Sequence, residues 1–446
     1  MMSRRCGDTM FRFPHWLAAC ALVAGCQSHS PAMPDGATTP DDGTAVDAPA
    51  PTLITIKTFA PFTARTGPTQ NASLLAFQDG DGPWVAIAGN AGVYHAATTT
   101  GRYAVAVGCA GTVNLYYQSV TDTTEVHTDG CFKPTDTVHV SLTLLGLATD
   151  QTGEVWFGAA PQFVISGDPI SVELAKGSVD VFVRVFADND ADVPVLLFRG
   201  PTMNLQTDQT LSLDLRTMGT GTQTRALTLT NRSPEDSVTV RTSHATPRSQ
   251  TQWPVWGKEF GTTAPDSYLT LPDAALQPDD VSNISVVASH ATADGREIFR
   301  FARSAMKSPG ALTLALPAEY TPSAPTLDRA AVPRVTVTIP LVPSTLQTSS
   351  YYVPLTARGQ PGTNGVVPLR FCNLRVLPGW AGTQSAAIIV TPDLSSLPGW
   401  SPDMALFPGA SVNWSILRND SNMPYETASV DGRQMLETGV SGTVSP

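Results

Sequence analysis

Two histidines in a repeated segment are the side chains of this sequence that could most readily do chemistry. Ser237–Thr246 aligns with Asn283–Thr292, and each segment places Ser-His-Ala-Thr just after a strand-like run. Histidine changes charge near neutral pH and is a common metal ligand. If the two segments pack side by side, His244 and His290 could converge on one metal or one substrate. The alternative is turn chemistry, in which the Ser and Thr hydroxyls bond to nearby backbone groups.

Three acidic residues form a second candidate site. Asp188, Asp190 and Asp192 alternate as at the start of a calcium loop, because hard cations need several oxygens close together. An EF-hand loop counted from Asp188 would need Gly at position 193 and Glu at position 199, which here are Val193 and Arg199. A solvated hairpin turn is the favoured interpretation. We therefore predict no metal and no cofactor.

Standard catalytic motifs are missing from the sequence. It contains no His-Glu-x-x-His zinc motif, no Gly-x-Ser-x-Gly elbow, no phosphate loop and no dinucleotide-binding glycine pattern. We accordingly predict no catalytic residue. A hydrolase whose site is assembled from loops around His244 or His290 remains an alternative.

Tryptophans offer a third kind of chemistry, since a flat aromatic ring can stack on a sugar ring. Trp253 and Trp256 are separated by Pro and Val, and Pro-Gly-Trp recurs at 378–380 and 398–400. These segments are predicted to be loops, so Trp253 and Trp256 are candidate ligand-binding residues. The alternative is that the tryptophans belong to the core, as is more common in β-sandwiches.

The amino-terminal segment is typical of a secretory signal. It combines arginines, a short apolar run and small residues before Cys26. The apolar run is shorter than the roughly 20 residues that a membrane-spanning helix needs. Translation could start at Met1 or at Met10, since Met10 gives a more usual signal length.

The last residues of this signal, Val23–Cys26, resemble the lipobox of bacterial lipoproteins. The resemblance implies cleavage between Gly25 and Cys26, a diacylglyceryl group on the Cys26 thiol and an acyl chain such as palmitate on its amino group. Residues 1–25 would then be a signal peptide. Because Gln27 and not Asp follows the cysteine, analogy with enteric lipoproteins favours the outer membrane, with the body facing either the periplasm or the cell surface.

Composition restricts the partners of the exported chain. Removal of residues 1–25 would leave 24 basic and 37 acidic residues. An acidic chain without a basic cluster repels phosphate backbones, so nucleic acid is excluded as a partner. Residues 26–51 are rich in Pro, Ala, Asp and Thr and lack aromatic residues, which predicts a flexible linker between the lipid and the body.

Short alternating runs bounded by turn residues predict an all-β chain of several β-sandwich-like domains. We place unit boundaries at 52–133 and 134–220. A β-rich region follows at 221–446, with two possible sub-units that meet near residue 330. Cys109 and Cys131 each end a strand-like run and are predicted to form a disulfide after export, the alternative being two unpaired core residues. Cys372 lies in an apolar run and is predicted to be buried.

Two further resemblances concern the fold. Gly101–Val107 and Gly177–Val183 each read glycine, one residue, and then apolar residues at alternate positions. This pattern resembles the strand entry of transthyretin-like and carboxypeptidase-regulatory-like sandwiches. The stretch Phe77–Trp84, followed by Gly101–Cys109, resembles uncharacterised lipoproteins of the myxobacterial type. These resemblances imply location and fold without implying an activity.

Taken together, the sequence predicts a lipoprotein that acts as a non-enzymatic interaction or structural module of the cell envelope. Its predicted partners are the membrane, through the lipid on Cys26, and a protein or carbohydrate ligand. Binding of carbohydrate or peptidoglycan is the first alternative function, and the loop-built hydrolase is the second.

Overall fold

Strands make up most of the chain. The computed structural model describes residues 50–446 except 60–68, 110, 130–135, 158–159, 166–168, 188–192, 247–251, 345, 362–365 and 424–429, and it describes only the backbone of 160–165, 175 and 218. The α-helices in this part of the chain are single turns, α1 (Leu215–Met218) and α2 (Pro378–Ala381). The prediction of an all-β chain with sandwich-like sheets is confirmed. No helix among the described residues is both long and apolar enough to span a bilayer.

The first strands of the described chain form unit 1. In chain order they are β1 (Thr52–Phe59), β2 (Leu74–Asp79), β3 (Val85–Ala86), β4 (Val93–Thr98), β5 (Arg102–Cys109), β6 (Thr112–Ser119) and β7 (Glu125–Asp129). β1 lies in the middle of a three-stranded sheet, antiparallel to β4 and parallel to β7. The other strands pair in the order β3-β2-β5-β6. Ile54 and Ile56 of β1 are buried while Leu53 is exposed, so alternation gives this strand one core face.

Unit 2 repeats this arrangement. Its strands are β8 (Thr137–Leu145), β9 (Gln151–Phe157), β10 (Ala160–Ile165), β11 (Ile170–Ala175), β12 (Gly177–Ala187), β13 (Leu196–Leu205) and β14 (Gln209–Asp214). β8 is antiparallel to β11 and parallel to β14, and the second sheet has the order β10-β9-β12-β13. The inner faces of the two sheets enclose a separate apolar core.

Unit 3 has the same strand order again. Its strands are β15 (Gln223–Thr230), β16 (Ser237–Ala245), β17 (Trp253–Gly261), β18 (Ser267–Thr270), β19 (Val281–Ala291), β20 (Glu297–Met306) and β21 (Leu312–Ala315). β15 pairs antiparallel with β18 and parallel with β21. The segments recognised as a sequence repeat are β16 and β19, which pair antiparallel with each other.

Unit 4 differs from the other units at one edge. Its strands are β22 (Thr326–Leu327), β23 (Val335–Pro340), β24 (Thr348–Arg358), β25 (Leu369–Val376), β26 (Ala386–Val390), β27 (Val412–Ser421) and β28 (Gln434–Val444). The central strand β23 pairs antiparallel with β26, as β1 does with β4. On its other side, β23 pairs with the short antiparallel strand β22 instead of a parallel strand.

Units 3, 4 and 1 share one continuous sheet. β20 of unit 3 pairs antiparallel with β28 of unit 4, and β25 of unit 4 pairs parallel with β6 of unit 1. The result is a twelve-stranded sheet that runs from β17 to β3. Units that are distant in the chain are thereby joined edge to edge by backbone hydrogen bonds.

The part of this sheet contributed by unit 1 is covered on both faces. Tyr103 and Val105 of β5 face the core of unit 1, whereas Ala104 and Ala106 face the core of unit 4. A strand buried on both faces reads as a nearly continuous apolar run. This explains why β5 departs from the apolar–polar alternation of an ordinary surface strand.

Candidate functional site

A cleft of about 540 Å³ lies between unit 1 and unit 4. Its apolar wall combines the aromatic rings of Trp84, Tyr117 and Trp380 with successive residues of β26. Its polar residues are Gln78, Asp81, Arg102, Arg334, Gln384 and Asp393. Apolar walls with a few polar groups that can orient a ligand are typical of binding sites.

The aromatic rings of the cleft pack edge to face. The Tyr117 ring centroid lies 5.1 Å from that of Trp380 and 6.5 Å from that of Trp84. Tyr117 and Trp380 are buried, and burial raises the pKa of the Tyr117 hydroxyl. Trp84 is half-buried, so it is the ring of the three with most surface available to a ligand.

The charged side chains of the cleft are held by internal contacts. The Arg102 guanidinium lies 5.2 Å from the Trp380 ring centroid, a cation–π arrangement. Arg102 also pairs with Asp81 at 2.8 Å. On the opposite side, Arg334 donates through Nε to the Thr391 carbonyl at 3.1 Å. These contacts orient Arg102 and Arg334 before any ligand binds.

Asp393 lines the cleft just after the end of β26. Hydrogen bonds from the hydroxyl and the backbone N–H of Ser395 lower the pKa of its carboxyl group, and the positive charge of Arg334 contributes further. Asp393 is therefore ionised at neutral pH.

The two repeated histidines do not converge. His244 is directly opposite Ser282 in the β16–β19 register, while Ser289, next to His290, is opposite Ser237. The two histidines thus lie at opposite ends of the strand pair, about 25 Å apart at the rise of an extended strand. The hypothesis of one shared metal or substrate site is wrong for this pair, because an antiparallel repeat places equivalent positions at opposite ends.

Each histidine instead binds an aspartate that precedes the partner strand. His244 Nε2 lies 3.1 Å from Asp280 Oδ2. His290 Nδ1 lies 2.9 Å from Asp236 Oδ1. Each aspartate is the last residue of a four-residue turn that has Pro at its second position. Each carboxylate also accepts a hydrogen bond from the backbone N–H of the first residue of its turn, Asp236 from Ser233 at 2.8 Å and Asp280 from Gln277 at 3.1 Å. The repeat therefore encodes two matched Asp–His pairs.

The Asp280–His244 pair is sealed between units 2 and 3. His244 is fully buried and packs beside the stacked rings of Phe182 and Trp253, with centroid distances of 6.1 and 6.2 Å. Arg199 of β13 reaches the pair, with its Nε 3.6 Å from Asp280 Oδ2. Burial acts to raise the pKa of Asp280, but the hydrogen bond and charge of His244, the Gln277 N–H and the charge of Arg199 outweigh it and lower the pKa.

A second buried carboxylate extends this network. Asp180 of β12 lies 3.5 Å from the Arg199 guanidinium and accepts hydrogen bonds from the hydroxyls of Thr202 and Thr246. Because Thr246 follows β16 of unit 3, Asp180 links the two units. The arrangement is a buried structural network in which two carboxylates share one arginine.

The Asp236–His290 pair is closed by residues of unit 3 itself. Arg300 of β20 pairs with Asp236 and donates to the Asn231 carbonyl at 2.8 Å. His290 remains 13% exposed and borders a shallow depression. Its Nε2 lies 3.9 Å from Glu319 Oε1.

The tryptophans predicted to be in loops are core residues. Trp253 and Trp256 belong to β17 and are 0% and 5% exposed. The loop prediction is wrong because Pro254 is accommodated at an irregularity of the β16–β17 pair, where a strand tolerates proline. Both rings pack in the apolar core of unit 3, and the Phe182 ring of unit 2 stacks on Trp253 at 5.5 Å. Neither ring can stack on a sugar in this arrangement.

Several predicted site residues lie outside the described residues. These are Gly25, Cys26, Cys131, Asp188, Asp190 and Asp192. Cys109 ends β5 as a disulfide-bonded residue, and its pairing with Cys131 stays a prediction. Cys372 of β25 is a free, buried cysteine, and burial raises the pKa of its thiol to about 12. Within the described ranges, no group of three or more His, Cys, Asp or Glu side chains could hold a metal.

Sequence reasoning missed the cleft and the network around Arg199. The cleft joins residues of unit 1 and unit 4 that are up to about 300 positions apart, and no local motif marks such a pair. The network did have a signal: Ser233-Pro-Glu-Asp236 and Gln277-Pro-Asp-Asp280 have the same pattern, each just before a strand. The repeat could have been extended to these aspartates.

No protein-family model and no curated protein matches the chain. Among solved structures, it is similar to the chicken CNTN1 FN1-FN3 domains, with 9% identity, 77% of this chain and 94% of that chain covered, and a TM-score of 0.14. So low a TM-score carries no argument about function.

Proposed function

We propose that this chain is a non-enzymatic interaction module of the bacterial cell envelope, held to the outer membrane by lipid on Cys26. We propose that it binds its ligand in the cleft between unit 1 and unit 4. The observation that carries this proposal is the cleft itself, in which the half-buried Trp84 stands beside charges already fixed by the contacts of Arg102 and Arg334. Preorganised groups of this kind reduce the entropy cost of binding.

A binding panel tests the cleft. Neutral oligosaccharides, peptidoglycan fragments and extended peptides are titrated into the full chain by calorimetry. We expect one class to bind saturably, Trp84→Ala to abolish that binding, and Leu53→Ala to preserve it, since Leu53 is 59% exposed outside the cleft. Binding that is insensitive to Trp84→Ala, or no binding by any class, contradicts the proposal.

Mass spectrometry tests the anchor separately. We expect the mature chain to begin at Cys26 with acyl groups on its thiol and amino group, and Cys26→Ala to release the protein from the membrane fraction. An unmodified Cys26 in membrane-bound protein contradicts the anchor.

Carbohydrate is one candidate ligand class for the same cleft. The supporting observation is that Trp84 stands near the amide side chains of Gln78 and Gln384, groups that can bond to sugar hydroxyls. A hydrolase built around His244 or His290 has less support, because each imidazole is engaged by an aspartate that also pairs with an arginine.

A further inference from the structure

We propose that the ligand of the cleft is an extended peptide segment of a partner protein, which adds as a strand to the free edge of β26. This inference rests on the proposed function, because it names the partner class for the same cleft. It differs from sugar stacking in that the main recognition is by backbone hydrogen bonds.

The register of β23 and β26 shows which backbone groups face the cleft. Leu341 N donates to Ser385 O at 2.8 Å and Thr391 N donates to Val335 O at 3.0 Å, just beyond the two ends of the pair. In an antiparallel pair, successive residues turn their N–H and C=O groups alternately toward and away from the partner strand. Ala387 and Ile389 therefore bond to β23, and Ile388 and Val390 turn their backbone groups to the other side.

That other side is unpaired. β26 is the last strand of its sheet, whose order is β22-β23-β26. Among the described residues, no backbone hydrogen bond joins Ile388 or Val390 to another strand. An unpaired edge is a template for another strand.

The cleft runs along this edge. Four consecutive residues of β26, Ala387 to Val390, lie on its wall. Side chains of a strand alternate between its two faces, so a wall that includes four residues in a row includes the strand's edge as well as one face. A ligand in the cleft thus meets the free N–H and C=O groups directly.

The sequence of β26 lacks the usual protection of an edge strand. It reads Ala-Ala-Ile-Ile-Val without a charged residue, and Ile388 and Val390 are 67% and 41% exposed. The strands at the corresponding edge of units 1 and 2 carry His95 and Glu173 as exposed residues. Charged or polar residues at such positions discourage strand addition, and β26 has none.

The shape and charge of the cleft favour a single uncharged strand over other occupants. Unit 1 supplies the facing wall through Trp84 and Tyr117, so an occupant of this cleft of about 540 Å³ lies between that wall and β26. Two arginines and two aspartates line the cleft, so their formal charges cancel. A segment of alternating small polar and apolar residues matches both features, with its backbone on β26 and alternate side chains toward Trp84.

Hydrogen exchange of the full chain tests the inference. The probe is a capped peptide in which threonine and valine alternate between terminal lysines, and the control peptide has the same sequence with alternate backbone nitrogens methylated. We expect the probe to slow amide exchange at Ile388 and Val390 by about tenfold or more, and the methylated peptide to have no effect.

Matched proline variants locate the binding edge. Ile388→Pro removes an N–H that faces the cleft while sparing the bonds to β23, and we expect it to weaken probe binding about tenfold. Ala97→Pro makes the equivalent change at the free edge of β4. Thr58 N bonds to Gly92 O, so the even-numbered residues of β4 direct their backbone N–H and C=O groups toward β1, and Ala97 directs its own to the free edge. We expect Ala97→Pro to leave binding unchanged.

The outcomes separate the two proposals. Probe binding without protection of Ile388 and Val390, or equal binding by the methylated peptide, overturns strand addition and leaves the cleft as a binding site. The same conclusion follows if N-acetylglucosamine oligomers bind, the probe peptide does not, and Trp84→Ala abolishes the binding of the oligomers. Absence of any Trp84-dependent ligand overturns both proposals. If Ile388→Pro fails to fold, hydrogen exchange at Ile388 and Val390 of the unmodified chain still tests strand addition.

Discussion

The Asp280–His244 and Asp236–His290 pairs have the same local design in different surroundings. Each joins an aspartate from a proline-containing turn to a histidine at the end of the neighbouring strand. His244 is fully buried under unit 2, whereas His290 remains 13% exposed. The comparison shows that the local sequence determines the pair and the neighbouring unit determines its solvation.

The number of buried charges also differs between the pairs. Arg199 stands between two buried carboxylates, those of Asp180 and Asp280. Arg300 faces one carboxylate, that of Asp236, which His290 and the Ser233 N–H also hold. Removing the arginine should therefore have unequal consequences at the two places.

The largest expected effect is that of Arg199→Ala. Two carboxylates would remain buried without their shared cation, and breaking a buried pair in this way costs about 3–5 kcal/mol of unfolding free energy. Urea denaturation followed by tryptophan fluorescence measures the loss. Arg216→Ala is the matched control, since Arg216 forms an exposed pair with Asp214 in the same unit, and its transition should not move.

Arg300→Ala should have a smaller effect. One carboxylate instead of two would lose its cation, and Asp236 keeps its bonds to His290 and Ser233. We therefore expect a loss of about 1–3 kcal/mol, the range for an incompletely satisfied buried group. The same denaturation experiment measures it. If Arg300→Ala costs as much as Arg199→Ala, the number of carboxylates that each arginine serves does not determine the loss of stability.

Acid unfolding tests the role of each histidine. Because the folded-state pKa of Asp280 is lowered, its ionised form contributes stability above the ordinary pKa of 3.8, and this stability is lost as the pH falls through the folded value. His244→Phe keeps a ring packed against Phe182 and Trp253 but removes the hydrogen bond to Asp280. We expect the acid transition to begin at higher pH, by about one unit.

The control for this titration is His290→Phe, which we expect to shift the acid transition less, because Asp236 keeps its pair with Arg300, whereas Asp280 shares Arg199 with Asp180. Circular dichroism at pH 7 verifies that both variants are folded. An acid transition in His244→Phe identical to that of the parent would show that His244 does not hold Asp280 ionised.

Chemical modification should distinguish the histidines with the least disturbance of the fold. Diethyl pyrocarbonate reacts with accessible neutral imidazoles, so His290 should be modified in the native chain and His244 should not. Peptide mapping by mass spectrometry measures both sites in one sample. Equal modification of the two would mean that unit 2 does not seal His244.

The fold class was predictable because strand signals are local. The alternation of Leu53-Ile-Thr-Ile gives β1, and the apolar run of Tyr103-Ala-Val-Ala-Val gives β5. What the sequence did not reveal is why β5 is apolar at successive positions: Ala104 and Ala106 face the core of unit 4, which comes more than 200 residues later. Pairing between distant edges leaves no periodic pattern in the sequence.

The site was predictable only in part. The Ser-His-Ala-Thr repeat correctly marked two equivalent strands, but strand direction is not encoded in the repeat, and an antiparallel pair separates His244 from His290. Trp253 and Trp256 were misassigned because Pro254 suggests a loop, whereas the strand accommodates it at an irregularity. Trp84 needed unit 4 beside it before it could form part of a cleft.

The parallel pairing of β6 with β25 has a consequence for biogenesis. Asn114 and Asn373, which bond at 3.0 Å across this pair, are 259 residues apart. Unit 1 is synthesised first, yet the edge of β6 and the face bearing Ala104, Ala106 and Leu115 stay uncovered until unit 4 has emerged. Closure over so long a loop is slow, and exposed strand edges aggregate meanwhile. A chain truncated within unit 4 should therefore accumulate as an insoluble product even though unit 1 is intact.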